Sequence, residues 1–215
     1  MRRNLERQSF FDLLAERHGR DLQKRLATAR VAVAGLGGLG SHVALALARA
    51  GLGALHLIDF DLVDHSNLHR QAYFPRHLGL KKTEALAGML AELNPWLDLR
   101  LSDTRLTAEN IPEIMAGERI LVEALDDPAA KAELVDTALS AFSDLKIVGA
   151  SGLAGLGPAE EIVTRRFGRR LWLCGDGASE VRPGQGLICS RVMLCAGQQA
   201  HQVIRLLMEE EREDE

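Results

Sequence analysis

Glycines at positions 35, 37, 38 and 40, a carboxylate at Asp59, and Asn67, Arg70 and Lys82 beyond it are the residues whose types and spacing could do chemistry. Gly35-Leu36-Gly37-Gly38-Leu39-Gly40 follows an apolar run, Val31 to Ala34, and precedes Ser41 to Arg49, which reads as a helix. A glycine turn between strand and helix lets backbone amides approach phosphate oxygens, and the helix N-terminus adds partial positive charge. The same glycines could also serve only close packing of helix on strand. Asp59 ends the next β-type run 24 positions after Gly35, near the spacing at which a carboxylate accepts hydrogen bonds from ribose hydroxyls. Up to Asp59, a nicotinamide-dependent dehydrogenase explains the pattern equally well.

The following segment argues against that reading. From Asp59 the chain runs DFDLVDHSNLHRQ, and Lys82 follows Arg70 by twelve residues. A dehydrogenase has no evident use for a cationic pair at that place, whereas a triphosphate does. Asn67 can bond nucleotide oxygens, Arg70 can fork onto phosphate, and Lys82 can act as a point charge. Any one of them alone would read as a solvated surface residue; their arrangement favours ATP.

GLGGLG, DFDLVDHSNLHRQ, GLKKTEAL and VEALDD together resemble the ThiF/MoeB/HesA family of carrier-protein adenylyltransferases, related to ubiquitin-activating enzymes. The resemblance runs from about Leu26 to Leu207 and is nearest the shorter ThiF branch, linked to adenylation of the thiamine sulfur carrier ThiS. It implies binding of ATP and Mg2+, a homodimer, and a small ubiquitin-like carrier with a Gly-Gly C-terminus as partner. It places the glycine loop, particularly Gly38, on the phosphates, Asp59 on the ribose, and Asn67, Arg70 and Lys82 around the triphosphate. Ser66 and Gln71 stand nearby, Asp126 is implied on magnesium, and Asp127 lies beside it. Asp126 also falls just past the apolar run Ile120 to Leu125, at the strand end where open parallel sheets bind ligands. One of the two aspartates is expected to cap the helix beginning near Pro128, and Asp127 is the better candidate. Relatives also reach into the partner's site with an N-terminal arginine; here Arg17 is preferred over Arg7.

Larger relatives carry two C-x-x-C pairs for zinc, which this chain lacks, so no zinc is expected. Cys174, before Gly175-Asp176-Gly177, is the cysteine expected in a mobile loop and hence the one candidate for a covalent intermediate with the carrier, although a buried or incidental thiol is the better reading. Cys189 and Cys195 read as core. Arg165, Arg166, Arg169 and Arg170 form a local basic patch, expected to be a solvated hairpin turn. That patch keeps open an alternative, a tRNA threonylcarbamoyladenosine dehydratase-like enzyme; a non-catalytic nucleotide- and partner-binding member is a further one.

These residues must be held by alternating elements. β-type runs at Val31 to Ala34, Ala54 to Asp59, Leu97 to Leu101, Ile120 to Leu125 and Lys146 to Ala150 alternate with helical runs at Ser41 to Arg49, Lys82 to Leu93 and Ala129 to Phe142. The class is α/β, a Rossmann-like, mostly parallel sheet with helices on both faces. Strands at Glu161 to Phe167 and Arg170 to Cys174, turning near Gly168, and a helix from about Arg191 to Met208 form an antiparallel C-terminal extension. The expected organisation is one adenylation domain over 1–215: a helical arm (1–25), a nucleotide-binding core (26–150), a carrier-binding extension (151–208) and an acidic tail (209–215).

With 215 residues, 47% of them hydrophobic, the chain suits one domain, and a net charge of -4 gives no general reason to bind nucleic acid or anionic membrane. Asp12 and Glu16 interrupt the early apolar run, which argues against a signal peptide, and no run approaches a membrane span. Three cysteines without a C-x-x-C pair point to reduced thiols and a cytoplasmic location.

Overall fold

A computed structural model describes residues 7–209. Two helices, α1 (Arg7–His18) and α2 (Arg20–Thr28), lead into β1 (Arg30–Ala34), α3 (Gly38–Arg49), β2 (Ala54–Asp59), α4 (Lys82–Leu93) and β3 (Asp98–Asp103). A one-turn helix α5 (Ile111–Ile114) precedes β4 (Ile120–Glu123), α6 (Pro128–Ala141), β5 (Lys146–Ala150), β6 (Val163–Phe167), β7 (Leu171–Gly175) and α7 (Cys189–Glu209). The strands form one sheet in the order β3-β2-β1-β4-β5-β7-β6, parallel except for β6, which pairs antiparallel with β7. The expected Rossmann-like sheet with an antiparallel end is therefore present. From β1 the chain first builds outward to β2 and β3, then crosses back to β4 on β1's other side. This reversal opens a crevice at the C-terminal ends of β1 and β4.

Strand alternation divides the core in two. Val31 and Val33 of β1, Leu55 and Leu57 of β2, Ile120 and Val122 of β4, and Val148 of β5 face a cluster under α3, α4 and α7. Ala32, Ala34, Ile58, Leu121 and Ile147 face a smaller cluster under α5 and α6. Helix α7 buries Val192, Cys195, Ala196, Gln199, Val203, Leu206 and Leu207, a helical-spacing stripe laid against α3 and the sheet. Helix α2 contributes fully buried Leu26 to the same core.

Local differences from the sequence reading have physical causes. Helix α3 begins at Gly38, three residues before Ser41, because the Ser41 hydroxyl back-bonds to Gly37 O at 2.6 Å instead of capping. The third strand starts one residue later and runs two residues further than expected, pairing along β2 to Asp59↔Asp103. Helix α5 was missed because four residues carry no readable periodicity. The acidic tail beyond Glu209 lies outside the described residues.

Candidate active site

The glycine turn is built by close backbone contact. Gly35 has φ +87°, and a Cβ there would lie 2.6 Å from Ala124 O; a Cβ on Gly40 would lie 1.8 Å from Gly35 O. These two glycines allow α3 to sit on the end of β1. Leu36 between them is gripped at both its polar atoms: its N–H donates to Asp59 Oδ2 at 2.6 Å, and its carbonyl accepts from the Tyr73 hydroxyl at 2.8 Å. Gly37, the N-cap of α3, has no side chain to cap the first helical amides. Those amides face the crevice as a ready anion site.

Asp59 and Lys82 are both buried beside this turn. Asp59 Oδ1 also accepts from the Asp61 amide, and the Lys82 ammonium lies 3.8 Å from Asp59 and 2.7 Å from Asp61. Burial pushes the Asp59 carboxyl above its ordinary pKa, against the pull of Lys82 and the two backbone amides. Tyr73 further bridges Leu36 O to Lys82 O, tying the glycine turn to the start of α4.

Arg70 and Gln71 close another side. The Arg70 backbone carbonyl would be 3.4 Å, and its Cγ 3.6 Å, from a Cβ on Gly38; Gln71 Nε2 would be 3.7 Å from one on Gly37. Arg70 donates to Asn67 Oδ1 at 2.8 Å, while Gln71 Oε1 is buried with no hydrogen-bond partner among the described residues. Val192 from the first turn of α7 approaches Gly38 at 3.0 Å by the same measure. Ser66 is spent differently: its N–H and hydroxyl both bond Asp64 Oδ1, capping a 3-10 turn over His65–Asn67.

Across the crevice, Asp126 is an exposed bend residue after β4 that, among the described residues, no hydrogen bond or ion pair engages. Asp127 accepts from Ala130 N at 2.8 Å as the N-cap of α6, the assignment expected for it. Asp126 follows Leu125, whose backbone abuts the Gly35 turn, and its exposed carboxylate has the oxygen donors that Mg2+ takes, an ion that usually keeps water and phosphate beside one or two carboxylates. Among the described residues no group of three or more His, Cys, Asp or Glu is arranged to hold a metal.

The N-terminal arginines sit elsewhere. Phe10 of α1 stacks with Trp96, and Leu14 contacts the position of Gly51; Trp96 and Gly51 precede β3 and β2. Helix α1 therefore lies at the N-terminal edge of the sheet, a strand's length of about 20 Å from the crevice. Arg17 is exposed there and Arg7 lies over the Phe11 ring, so neither reaches the site of its own chain.

Cys174 is not in a mobile loop; it is a buried thiol, as the better reading had it, lying in β7 against Thr164 Oγ1, and burial raises its pKa. The arginine patch is the exposed hairpin turn expected of it, between β6 and β7, and its arginines also bind backbone carbonyls. Arg170 donates to the carbonyls of Phe142 and Leu139 at the end of α6, Arg165 to Gly175 O, and Arg166 to Gly168 O and Arg169 O while lying over Trp172. Sequence reasoning also passed over Asp61, Tyr73, Glu123, Lys131 and Gln199. Asp61 lay inside the quoted motif and Tyr73 is the single tyrosine, but their partners come from folding.

Residues 5–214 match the ThiF family. The adenylyltransferase and sulfurtransferase uba4 of Aspergillus clavatus is 37% identical over 147 residues, 62% of this chain and 30% of that protein. The probable adenylyltransferase/sulfurtransferase MoeZ of Mycobacterium tuberculosis is 36% identical over 124 residues, 57% of this chain and 32% of the relative. The matched region thus spans about a third of these relatives. Among solved structures, the E. coli tRNA N6-threonylcarbamoyladenosine dehydratase TcdA in complex with ATP superposes with a TM-score of 0.87, covering 98% of this chain and 99% of that one at 22% identity. That likeness establishes a shared fold over nearly the whole length.

Proposed function

The chain belongs to the ThiF family, and from that premise we propose that it is an ATP-dependent adenylyltransferase that activates the C-terminal carboxylate of a small ubiquitin-like sulfur carrier protein. The observation carrying this reading is the convergence, at the sheet's switch point, of uncapped α3 amides, Arg70, Lys82 and the unpaired Asp126. The relatives' names, which join adenylyl and sulfur transfer, support the same class.

In this reading the carrier's carboxylate oxygen attacks the α-phosphorus of ATP. A new P–O bond forms, the bond to the bridging oxygen breaks, and pyrophosphate leaves with those electrons. A terminal carboxyl with pKa roughly 3.3 to 3.7 is ionised at neutral pH, so no general base is needed. The α3 amides and Gly38 cradle phosphate, Arg70 and Lys82 neutralise its charge, Asn67 and Gln71 orient the nucleotide, and Asp59 meets the ribose. Asp126 would hold Mg2+, whose charge offsets that of the phosphate oxygens when bound. Catalysis of this kind rests on positioning and electrostatics. The finer assignments are a ThiS-like carrier of thiamine biosynthesis ending in Gly-Gly, a cytoplasmic location, and a homodimer in which Arg17 crosses to the other copy. Among the described residues no helix is long and apolar enough to cross a membrane.

The test offers purified protein ATP with a Gly-Gly-ended carrier or with threonylcarbamoyladenosine-containing tRNA, and follows pyrophosphate exchange and AMP. Carrier-dependent exchange is expected. AMP release with tRNA alone would transfer the reading to the dehydratase type, and turnover with neither would leave a nucleotide-binding protein.

A further inference from the structure

Among the described residues nothing engages the Asp126 carboxylate, while its chain neighbours Leu125 and Asp127 are both held. The Leu125 amide donates to Glu123 Oε1 at 2.8 Å. Lys131, one turn into α6, donates to both Glu123 oxygens at 2.7 Å and to Leu125 O at 3.0 Å. On the opposite face of the sheet, Gln199 of α7 donates to Glu123 O at 3.0 Å and Val148 O at 3.2 Å. The carboxylate of Asp127 is occupied as the α6 cap. Room for the Glu123 carboxylate exists because position 149 is glycine; a Cβ there would stand 3.1 Å from Glu123 Oε2.

We propose that the Glu123–Lys131 pair is the positioning device for Asp126, fixing the turn that presents this carboxylate to the divalent cation of the adenylation reaction. The proposal rests on the reading of Asp126 given above. All three ammonium hydrogens of Lys131 are spent on Glu123 and Leu125, so none remains for a phosphate; Lys131 acts through Asp126 and is not a catalytic residue. Stability alone does not explain the pair, since buried ion pairs are commonly replaceable by packed apolar residues. What an apolar pair cannot supply is a simultaneous grip on the N–H and C=O of Leu125, the residue before Asp126. That grip sets the direction in which the Asp126 side chain leaves the turn.

The experiment titrates Mg2+ at fixed ATP and reads two quantities: the ATP-dependent rise in melting temperature, and carrier-dependent pyrophosphate exchange. Wild type, Asp126→Asn, Lys131→Arg and the double variant Glu123→Leu/Lys131→Met are compared. Loss of a group that orients a metal ligand typically costs about 10–100-fold in metal affinity, so the double variant should need about tenfold more Mg2+ for half-effect in both readouts. Lys131→Arg should recover most of that shift, and the KM for ATP at saturating Mg2+ should stay close to wild type. If the double variant fails to fold, Glu123→Gln, which keeps an acceptor for Leu125 but loses the ion pair, should show a smaller shift in the same direction. A folded variant with the wild-type Mg2+ midpoint overturns the proposal, as does an Asp126→Asn protein whose Mg2+ titration is unchanged. Absence of carrier-dependent exchange in wild type would instead sink the adenylation reading, while the melting titration still decides the role of the pair.

Discussion

Lys82 and Asp61 are paired at 2.7 Å, the lysine side chain 7% exposed and the aspartate 47%, so the cation proposed for phosphate is already engaged before nucleotide arrives. Lys82 must exchange this partner for a phosphate oxygen. Asp61→Asn should therefore bind ATP as well as wild type or a few-fold more tightly, whereas Lys82→Ala should lose about 100-fold or more in exchange rate, on the scale of one lost electrostatic donor. Calorimetric ATP titration and exchange kinetics check both. Weaker ATP binding in Asp61→Asn would mean that the carboxylate orients Lys82 and does not compete for it.

The glycines of the turn should separate by role. Gly40→Ala drives a Cβ to within 1.8 Å of Gly35 O and should destabilise the fold by about 2 kcal/mol or more, as strained or overpacked core positions do. Gly37→Ala has its nearest neighbour at 3.7 Å and a φ of -78°, so it should fold normally while weakening ATP binding where phosphate approaches the backbone. Urea unfolding beside ATP titration distinguishes them.

Asp176 predicts an acid-labile element. Burial acts to raise its pKa, but the amides of Ser179 and Ala178, the Ser179 hydroxyl and the Arg191 guanidinium outweigh it and hold the carboxyl well below 3.8. With the folded pKa depressed, the unfolded chain binds more protons near pH 4. The stabilisation is thus present above that pH and is lost as pH falls through and below it. Asp176→Asn should cost about 2–3 kcal/mol at pH 7, the scale of hydrogen bonds to a charged group, and should flatten the loss of stability between pH 5 and about pH 3. Denaturant unfolding across that range measures it.

The thiols should react in order of access. Cys189 is partly exposed, while Cys174 and Cys195 are buried and burial raises both of their pKa values. Alkylation of the native protein followed by peptide mass analysis should label Cys189 first and the other two only on unfolding. Cys174→Ser should retain adenylate formation; rapid native labelling of Cys174 would contradict its burial.

The position of α1 makes Arg17 testable only in an assembly. Arg17→Ala protomers mixed with Asp126→Ala protomers should regain activity in the heterodimer if Arg17 serves the other copy's site. Mixtures no more active than either parent would remove Arg17 from the mechanism.

Element types and most boundaries followed from local pattern. Three elements, Ala54–Asp59, Lys82–Leu93 and Lys146–Ala150, fall where apolar period and stop residues put them. The positions of the glycine turn, Asp59, Lys82 and Asp126 at the ends of their elements were readable for the same reason, since each lies within a few residues of a recognisable strand or helix. What tertiary structure decided was partnership across distance. Gln199 reaches Glu123 from 76 residues away, Tyr73 grips Leu36 from 37, and Arg170 ends α6 from 28. Such pairings depend on which strands become neighbours, and local periodicity is the same for every strand order. The sequence by itself therefore determined that an α/β core with a glycine turn between its first strand and the following helix would form. Only the packed fold decided that Lys82 is already paired, that the Cys174 thiol is sealed against Thr164, and that Glu123 and Lys131 grip the residue before Asp126.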